Sequence, residues 1–407
     1  MEVIPLLLSG KHILLGVCGG IAAYKAAALA SLLTKQGAVV HPILTKNAMQ
    51  FVSPITFEGV SGQRCFTNTF DRDTEFRVPH IKLAQMADAV LVAPASANTI
   101  AKLSHGLADD MLTSTLLACR CKKLIAPAMN TAMFENPATQ DNLKTLEHYG
   151  WTVIQPAYGH LACGDTGAGK MPEPEYLLQY MLFYLAEQKD MTGFNVLVTA
   201  GPTRESLDPV RYLTNHSSGK MGYELAVNAA RRGAHVTLVT GSDQLPDPPF
   251  VDVIHVESAQ DMFDAVTAVS HQQDMLAFAA AVADYRPATV SQQKIKKTSD
   301  HSVLELTRTP DILQTVGLSK KPGQLICGFS METQDLLDHS QEKRKKKNAD
   351  LMCANSLREE GAGFGVDTNI ITLISDQGVE KLPLLSKYDV SRKIWDAMLS
   401  MKSHSNS

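Results

Sequence analysis

Three polar residues stand in loops where their chemistry could be used. His80, in Pro79-His80-Ile81, brings an imidazole that can take or give a proton near neutral pH. Cys163, in Gly159-His160-Leu161-Ala162-Cys163-Gly164-Asp165-Thr166-Gly167-Ala168-Gly169-Lys170-Met171, brings a thiol, and Asn130, in Pro127-Ala128-Met129-Asn130-Thr131-Ala132-Met133-Phe134, brings an amide. Taken singly, each has a bland reading: a turn histidine, a small buried hydrophobe, a helix cap. Taken together, in different loops of one strand series, they point to a site. A fourth polar stretch, Pro94-Ala95-Ser96-Ala97-Asn98-Thr99, ends an apolar run, where ligands bind in parallel sheets.

Glycine loops open both halves of the chain. Gly16-Val17-Cys18-Gly19-Gly20 lets a backbone approach a phosphate at a helix start. Thr45 and Lys46 close the next strand where a dinucleotide fold places an acidic residue, which points away from NAD and towards a mononucleotide such as FMN. In the second half Ser218-Gly219-Lys220 invites a Walker reading. It fails, because Thr214 stands where a glycine is required and Met221 replaces the serine or threonine. The run Lys343-Arg344-Lys345-Lys346-Lys347 reads plainly as a solvated helix face, but Lys343 and Lys347 are four apart and share a side.

Strands and helices must hold these loops. Ile13–Val17, Val39–Leu44, Ala87–Ala93, Lys123–Ala126 and Thr152–Ile154 read as strands, with a helix over Ile21–Lys35 and a last helix over Tyr176–Gln188. The pattern restarts with a strand over Asn195–Thr199, a helix over Tyr223–Arg232 and a strand over His235–Thr240. Alternating strands and helices predict parallel sheets, hence two α/β Rossmann-like domains, residues 1–190 and 191–407. The first is expected to be flavodoxin-like and the second a doubly wound nucleotide-binding domain.

The first-half motifs resemble those of the flavin-dependent cysteine decarboxylases that make phosphopantetheine. Across roughly residues 10 to 395 the chain resembles the bacterial bifunctional phosphopantothenoylcysteine decarboxylase/phosphopantothenate–cysteine ligases of coenzyme A synthesis. Thr199-Ala200-Gly201-Pro202-Thr203-Arg204-Glu205, Val210 to Gly222, Ala279 to Arg286, Lys294-Ile295-Lys296-Lys297, Pro310-Asp311-Ile312 and Gly328-Phe329-Ser330-Met331-Glu332-Thr333 carry the second-half resemblance. It implies that His80 is the active-site histidine, that Asn130 holds the substrate carboxylate and that Cys163 acts as an acid on a substrate clamp. Gly19, Gly20, Thr45, Ser96, Asn98 and Thr99 would line FMN. Asn215 would hold the acyl-cytidylate and Lys294 would serve the transferring group. The CTP site would use Phe278, Ala279, Ala280, Asp284, Lys294, Pro310, Asp311, Ile312, Leu313, Phe329, Lys343 and Lys347, with Mg2+ on the triphosphate. This chain departs from the family at Phe134, Lys170, His216, Ser330 and Met331. The family's flavin sites lie between subunits, which implies a homo-oligomer. A flavin prenyltransferase-like protein, or a regulatory relative without turnover, are the competing readings; the first lacks the Asn130 and Cys163 motifs and leaves the second half unexplained.

Composition narrows the classes. The 407 residues are 44% hydrophobic and 20% charged, which excludes disorder over most of the chain. No window approaches the ~20 uncharged apolar residues of a membrane helix. Lys11 and His12 interrupt the first apolar run, so no signal peptide is expected. Seven cysteines, an odd number, point to a reducing compartment, and a cytoplasmic location is expected. A net charge of −4 gives no general attraction to nucleic acid.

Overall fold

The computed structural model describes residues 6–71, 77–296, 303–332, 335–356 and 365–405. Lys297 and Thr333, quoted above, lie outside the described residues. The chain forms two compact units, Pro5–Glu187 and Gln188–Ser407.

The first unit runs β1 (His12–Val17), α1 (Ala23–Lys35), β2 (Val39–Leu44), α2 (Pro54–Ser61), α3 (Pro79–Met86), β3 (Ala89–Ala95), α4 (Ala97–Ser104) and α5 (Met111–Ala118). It continues with β4 (Lys122–Pro127), α6 (Thr131–Glu135), α7 (Pro137–His148), β5 (Thr152–Val153), β6 (Ala157–His160), β7 (Thr166–Lys170) and α8 (Pro174–Leu185). Strands β1 to β5 form a parallel sheet in the order β2-β1-β3-β4-β5. That order reverses between β1 and β3, the crevice where a flavodoxin-like sheet seats its ligand.

The strands read as continuous apolar runs because both sheet faces are covered. On β1, Ile13, Leu15 and Val17 join one core cluster with Leu29 and Leu33 of α1, Phe57 of α2 and Met181 of α8. Leu14 points the other way, into a cluster with Leu83 of α3, Ile100 of α4, Leu116 of α5 and Leu146 of α7. Helix α1 begins two residues later than the sequence pattern suggests, after an uncapped turn at Ala22. The segment after β5 is a β6–β7 antiparallel hairpin rather than an open loop.

The second unit runs β8 (Asn195–Ala200), β9 (Arg204–Ser206), β10 (Tyr212–Thr214), α9 (Lys220–Arg231), β11 (His235–Thr240), β12 (Asp252–His255), α10 (Ala259–Ser270) and β13 (Met275–Phe278). Next come β14 (Tyr285–Pro287), β15 (Leu306–Arg308), α11 (Ile312–Leu318), β16 (Leu325–Glu332), α12 (Leu336–Lys346) and β17 (Leu351–Ser356). The end is β18 (Thr368–Asn369), β19 (Ile371–Ser375), β20 (Gly378–Lys381), β21 (Leu385–Ser386) and α13 (Lys387–Ser405). The main sheet has the order β12-β11-β8-β13-β16-β17-β19-β20, parallel through β17 and antiparallel beyond it. Its six parallel strands follow the doubly wound 3-2-1-4-5-6 order, with the switch point between β8 and β13.

Helix α9 starts three residues earlier than Tyr223. Gly219 takes a left-handed φ of +80° at its N-cap, a conformation that glycine adopts without steric cost. One sheet face is closed by α10 and α11 through Met262, Val266, Leu313 and Val316. On α13, fully buried Trp395 donates from its indole nitrogen to the Leu225 carbonyl of α9, 3.0 Å away. No helix among the described residues is long and apolar enough to cross a membrane.

Candidate active sites in the two units

The first site surrounds the β1/β3 switch point. Gly19 and Gly20 follow β1, Thr45 follows β2, and Ser96, Asn98 and Thr99 open α4 after β3. Ser96 caps α4 by accepting from Thr99 N, and the buried Thr99 hydroxyl accepts from the Cys18 thiol at 3.2 Å. Burial pushes the Cys18 thiol up, keeping it a neutral donor. The Thr45 hydroxyl accepts from Ala48 N, fixing the turn after β2. Gly19 packs so closely on Asn47 that an added Cβ would lie 2.5 Å from the Asn47 Cβ, whereas a Cβ on Gly20 would meet open space. The donors here are hydroxyls, an exposed Asn98 amide and a glycine backbone at a helix start. That set fits the phosphate and ring edges of a flavin mononucleotide.

Asn130 and Cys163 come together at the tip of the β6–β7 hairpin. Asn130 caps α6 with its Oδ1, accepting from Ala132 N at 2.9 Å. Its Nδ2 donates to Asp165 Oδ2 at 2.7 Å and reaches Cys163 Sγ at 3.3 Å. Cys163 in turn donates to Asp165 Oδ2 at 3.3 Å. Two glycines bring the hairpin this near. A Cβ on Gly169, at φ +131°, would lie 2.3 Å from the Met129 carbonyl oxygen, and one on Gly167 would strike the Thr131 side chain. Lys170 pairs with Glu173 at 3.5 Å, and Glu173 also takes Lys25 at 2.7 Å. Phe134 packs against the core cluster below α7.

His80 stands in the first turn of α3, its Nδ1 buried with no hydrogen-bond partner among the described residues. It makes no bond to the Asn130–Cys163 pair. Asp165, which joins that pair, was not singled out in the sequence. Its place two residues after a clamp cysteine was the available signal.

The second site is a cavity of about 970 Å3 at the β8/β13 switch point. Phe278, Ala279, Ala280 and Asp284, after β13, line one wall. Pro310, Asp311, Ile312 and Leu313, at the start of α11, line another, with Phe329 of β16 and with Lys343 and Lys347 at the end of α12. Asn215 lines it too, its Nδ2 donating to the carbonyls of Ala281 and Val282 at 2.9 and 3.3 Å. That anchor leaves the Asn215 carbonyl oxygen for a ligand. His216 to Lys220 bring the α9 N-terminus to the cavity, which favours an anion.

Charge is distributed unevenly around this cavity. Lys347 contacts Asp311 at 3.3 Å, while Asp311 Oδ1 caps α11 through Gln314 N. Arg344, in the middle of the basic run, is buried and bonds Asp376 instead, so the run is not one solvated face. Ser330 and Ser340 join hydroxyls at 2.7 Å, both buried, which accounts for serine at position 330. Lys220, in the Val210 to Gly222 segment that carries the resemblance, also lines the cavity, as does Lys387, which the sequence did not single out. Lys220 holds the Asp367 carboxyl below its ordinary range through a 2.6 Å contact. Burial, reinforced by Lys220, lowers Lys387. Lys294 is the exception among the expected residues. It is exposed on the stretch between β14 and β15 and is not among the lining residues, although Tyr285 and Arg308 at the bases of that stretch are.

Residues 191–401 match the family model described as the DNA/pantothenate metabolism flavoprotein C-terminal domain, and residues 5–184 match the flavoprotein model. The coenzyme A biosynthesis bifunctional protein CoaBC of Vibrio vulnificus is 44% identical over 399 residues, covering 98% of this chain and 99% of the relative. CoaBC of Bacillus subtilis is 45% identical over 392 residues, 95% and 96% of the two chains. CoaBC of Escherichia coli is 40% identical over 402 residues, 98% and 99% of the two chains. With two switch-point sites in one polypeptide and likeness along nearly its whole length, the chain belongs to the family of bifunctional coenzyme A biosynthesis proteins.

Proposed function

We propose that the second unit joins 4'-phosphopantothenate to cysteine at the expense of CTP, and that the first unit decarboxylates the product to 4'-phosphopantetheine. The observation that carries this reading is the meeting of Asn130, Cys163 and Asp165 beside a flavodoxin-like switch point, in a chain that also holds a cation-lined nucleotide cavity.

In the cavity, Lys343, Lys347 and the α9 N-terminus offset the triphosphate charge, which grows as pyrophosphate leaves. Asp284 suits a Mg2+ bound mainly through phosphates, since such ions take only one or two protein carboxylates. Asn215 presents its carbonyl oxygen beside the activated acyl group. In the first unit, Gly19, Gly20, Thr45, Ser96, Asn98 and Thr99 would hold FMN, which would supply the two-electron redox chemistry that makes loss of CO2 feasible. His80 takes a proton from the substrate, an imidazole being a base suited to neutral pH. The Asn130 amide orients the carboxylate that departs, and Cys163 delivers the final proton from its thiol. We place the reactions in the cytoplasm, in a homo-oligomer. Exposed Ile21 and Tyr24 on and before α1, with Phe51 and Ile55 by α2, give the first unit apolar surface for such assembly.

The purified protein is expected to be yellow, with a flavin absorbance spectrum. Given CTP, cysteine and phosphopantothenate, it should form pyrophosphate, CMP and phosphopantetheine. A colourless protein inert with all three substrates would overturn the reading in favour of a regulatory relative.

A further inference from the structure

One buried carboxylate in the second unit is bound from three directions. The Asp208 side chain is 0% exposed. Its Oδ1 accepts from Val210 N and Arg211 N at 2.8 and 2.9 Å. Its Oδ2 accepts from Arg211 Nε and Nη2 at 3.0 and 2.6 Å, and from Ile295 N at 3.1 Å. The same Arg211 Nη2 donates to the Ile295 carbonyl at 2.8 Å. Ser291 N adds a bond to the Leu207 carbonyl at 3.0 Å.

These contacts join two pieces of chain that lie far apart in sequence. On one side, Asp208 and Arg211 sit at the root of β10, the strand that delivers Asn215 to the cavity. On the other, Ile295 is held at both its N–H and its carbonyl, and Lys294 is the residue before it. A buried charged acceptor with five donors is a strong, specific tie, because removing its charge would leave three backbone N–H groups and the half-exposed Arg211 fork without their acceptor. The stretch it holds springs from β14 and β15, whose Tyr285 and Arg308 line the cavity. An exposed loop tethered only by side-chain solvation would have no use for such a buried anchor.

We propose that Asp208 is a positioning residue of the ligase reaction, fixing the backbone that carries Lys294 against the strand that carries Asn215. This rests on the reading of the second unit as the CTP-dependent ligase with Lys294 at the transferring group. Asp208 touches no substrate in this arrangement. Its effect runs through Ile295 to the residue beside it, so that only the Lys294 side-chain torsions remain to be set when the nucleotide arrives.

The test is a double-mutant cycle on the full-length chain, reading pyrophosphate release and CTP affinity separately. Asp208→Asn keeps the shape but loses the ionic fork. It should lower pyrophosphate release about tenfold to a hundredfold, the scale of a misplaced group, while CTP affinity stays within about threefold. Lys294→Gln should lower release at least as far, and adding Asp208→Asn to it should cost little more. Arg211→Lys, which keeps the positive charge but loses the bidentate fork and its bond to the Ile295 carbonyl, should reproduce most of the effect of Asp208→Asn and serves if that variant does not fold. Equal losses from Asp208→Asn in both backgrounds, or no loss with Lys294→Gln impaired, would overturn the proposal alone. Unchanged release in Lys294→Gln overturns the role of Lys294 and this proposal with it, and no CTP-dependent pyrophosphate from the unaltered protein overturns the ligase reading itself.

Discussion

His80 and Cys163 stand on different elements, one in the first turn of α3 and one at a hairpin tip, so their proton transfers can be separated by substitution. His80→Asn is expected to leave added substrate unoxidised, with no CO2 released and the flavin spectrum unchanged. Cys163→Ser should still release CO2 but accumulate the unreduced product, since a hydroxyl is a much weaker acid than a thiol. Overall turnover should fall roughly a hundredfold or more, as when a general acid is lost. Loss of CO2 release in both variants would refute separate roles. At this scale the sequence pointed to candidate residues more readily than to where they would stand. The glycines of the clamp brought Cys163 onto Asn130 as their motifs suggest. Lys294 does not line the cavity, and the bonds that fix its neighbour come from Asp208 and Arg211, more than eighty residues away. Such a tie has no local pattern. Lys387 was missed for the same reason, being brought to the cavity by the fold, where it bonds the Val366 carbonyl.

The elements act as mounts whose fit can be tested. A methyl group on Gly169 would collide with the Met129 carbonyl in a conformation that favours glycine. Gly169→Ala should therefore displace the β6–β7 hairpin from Asn130 and impair decarboxylation, with ligase activity and pyrophosphate release intact. In the sheet itself, His41 of β2 stacks on His12 of β1 at 5.3 Å, their ring nitrogens 3.0 Å apart. Burial, with a smaller push from His12, lowers His41 to about 4 from an ordinary 6.5. The unfolded chain thus binds a proton that the folded chain refuses between those values. His41 carries no penalty above pH 6.5, and stability drains away as pH falls from 6.5 towards 4, by up to about 3 kcal/mol. His41→Val should flatten that part of the pH profile of first-unit melting, followed by flavin fluorescence. An unaltered slope would show that other groups set it. The long parallel strands were legible as apolar runs because both faces of each sheet are covered. Short β6, β7, β9, β10, β18, β20 and β21 carry no such pattern, since few of their residues enter a core.

At the scale of the whole chain the two units invite separation, and the structure indicates where a cut would do harm. A break after Asp190 looks natural from sequence, where polar residues precede Met191 and the β8 strand. Yet Asp190 is tied into the second unit. It receives Arg232 Nε and Nη2 at 2.8 and 2.6 Å, and Arg232 is itself only 6% exposed. Met191 is fully buried, its N–H bonding the Arg232 carbonyl at 2.9 Å, and Lys189 donates to the Arg231 carbonyl. Asp396 also contacts Arg232, at 2.7 Å, so removing Asp190 halves the compensation of a buried guanidinium rather than abolishing it. Asp190 is partly exposed, so its loss should cost about 1–2 kcal/mol, less than for a fully buried pair. Fragments 188–407 and 191–407 are both expected to fold and to make phosphopantothenoylcysteine without flavin, because sheet, cavity and Asn215 all lie within them. The shorter should melt about 2–8 °C lower, as that free energy implies for a unit of this size. Asp190→Asn in the longer fragment should reproduce most of the difference, which assigns it to the carboxylate rather than to the lost residues. Equal melting of all three would show that Asp396 alone satisfies Arg232, whereas a flavin requirement in either fragment would contradict the division of labour between the units.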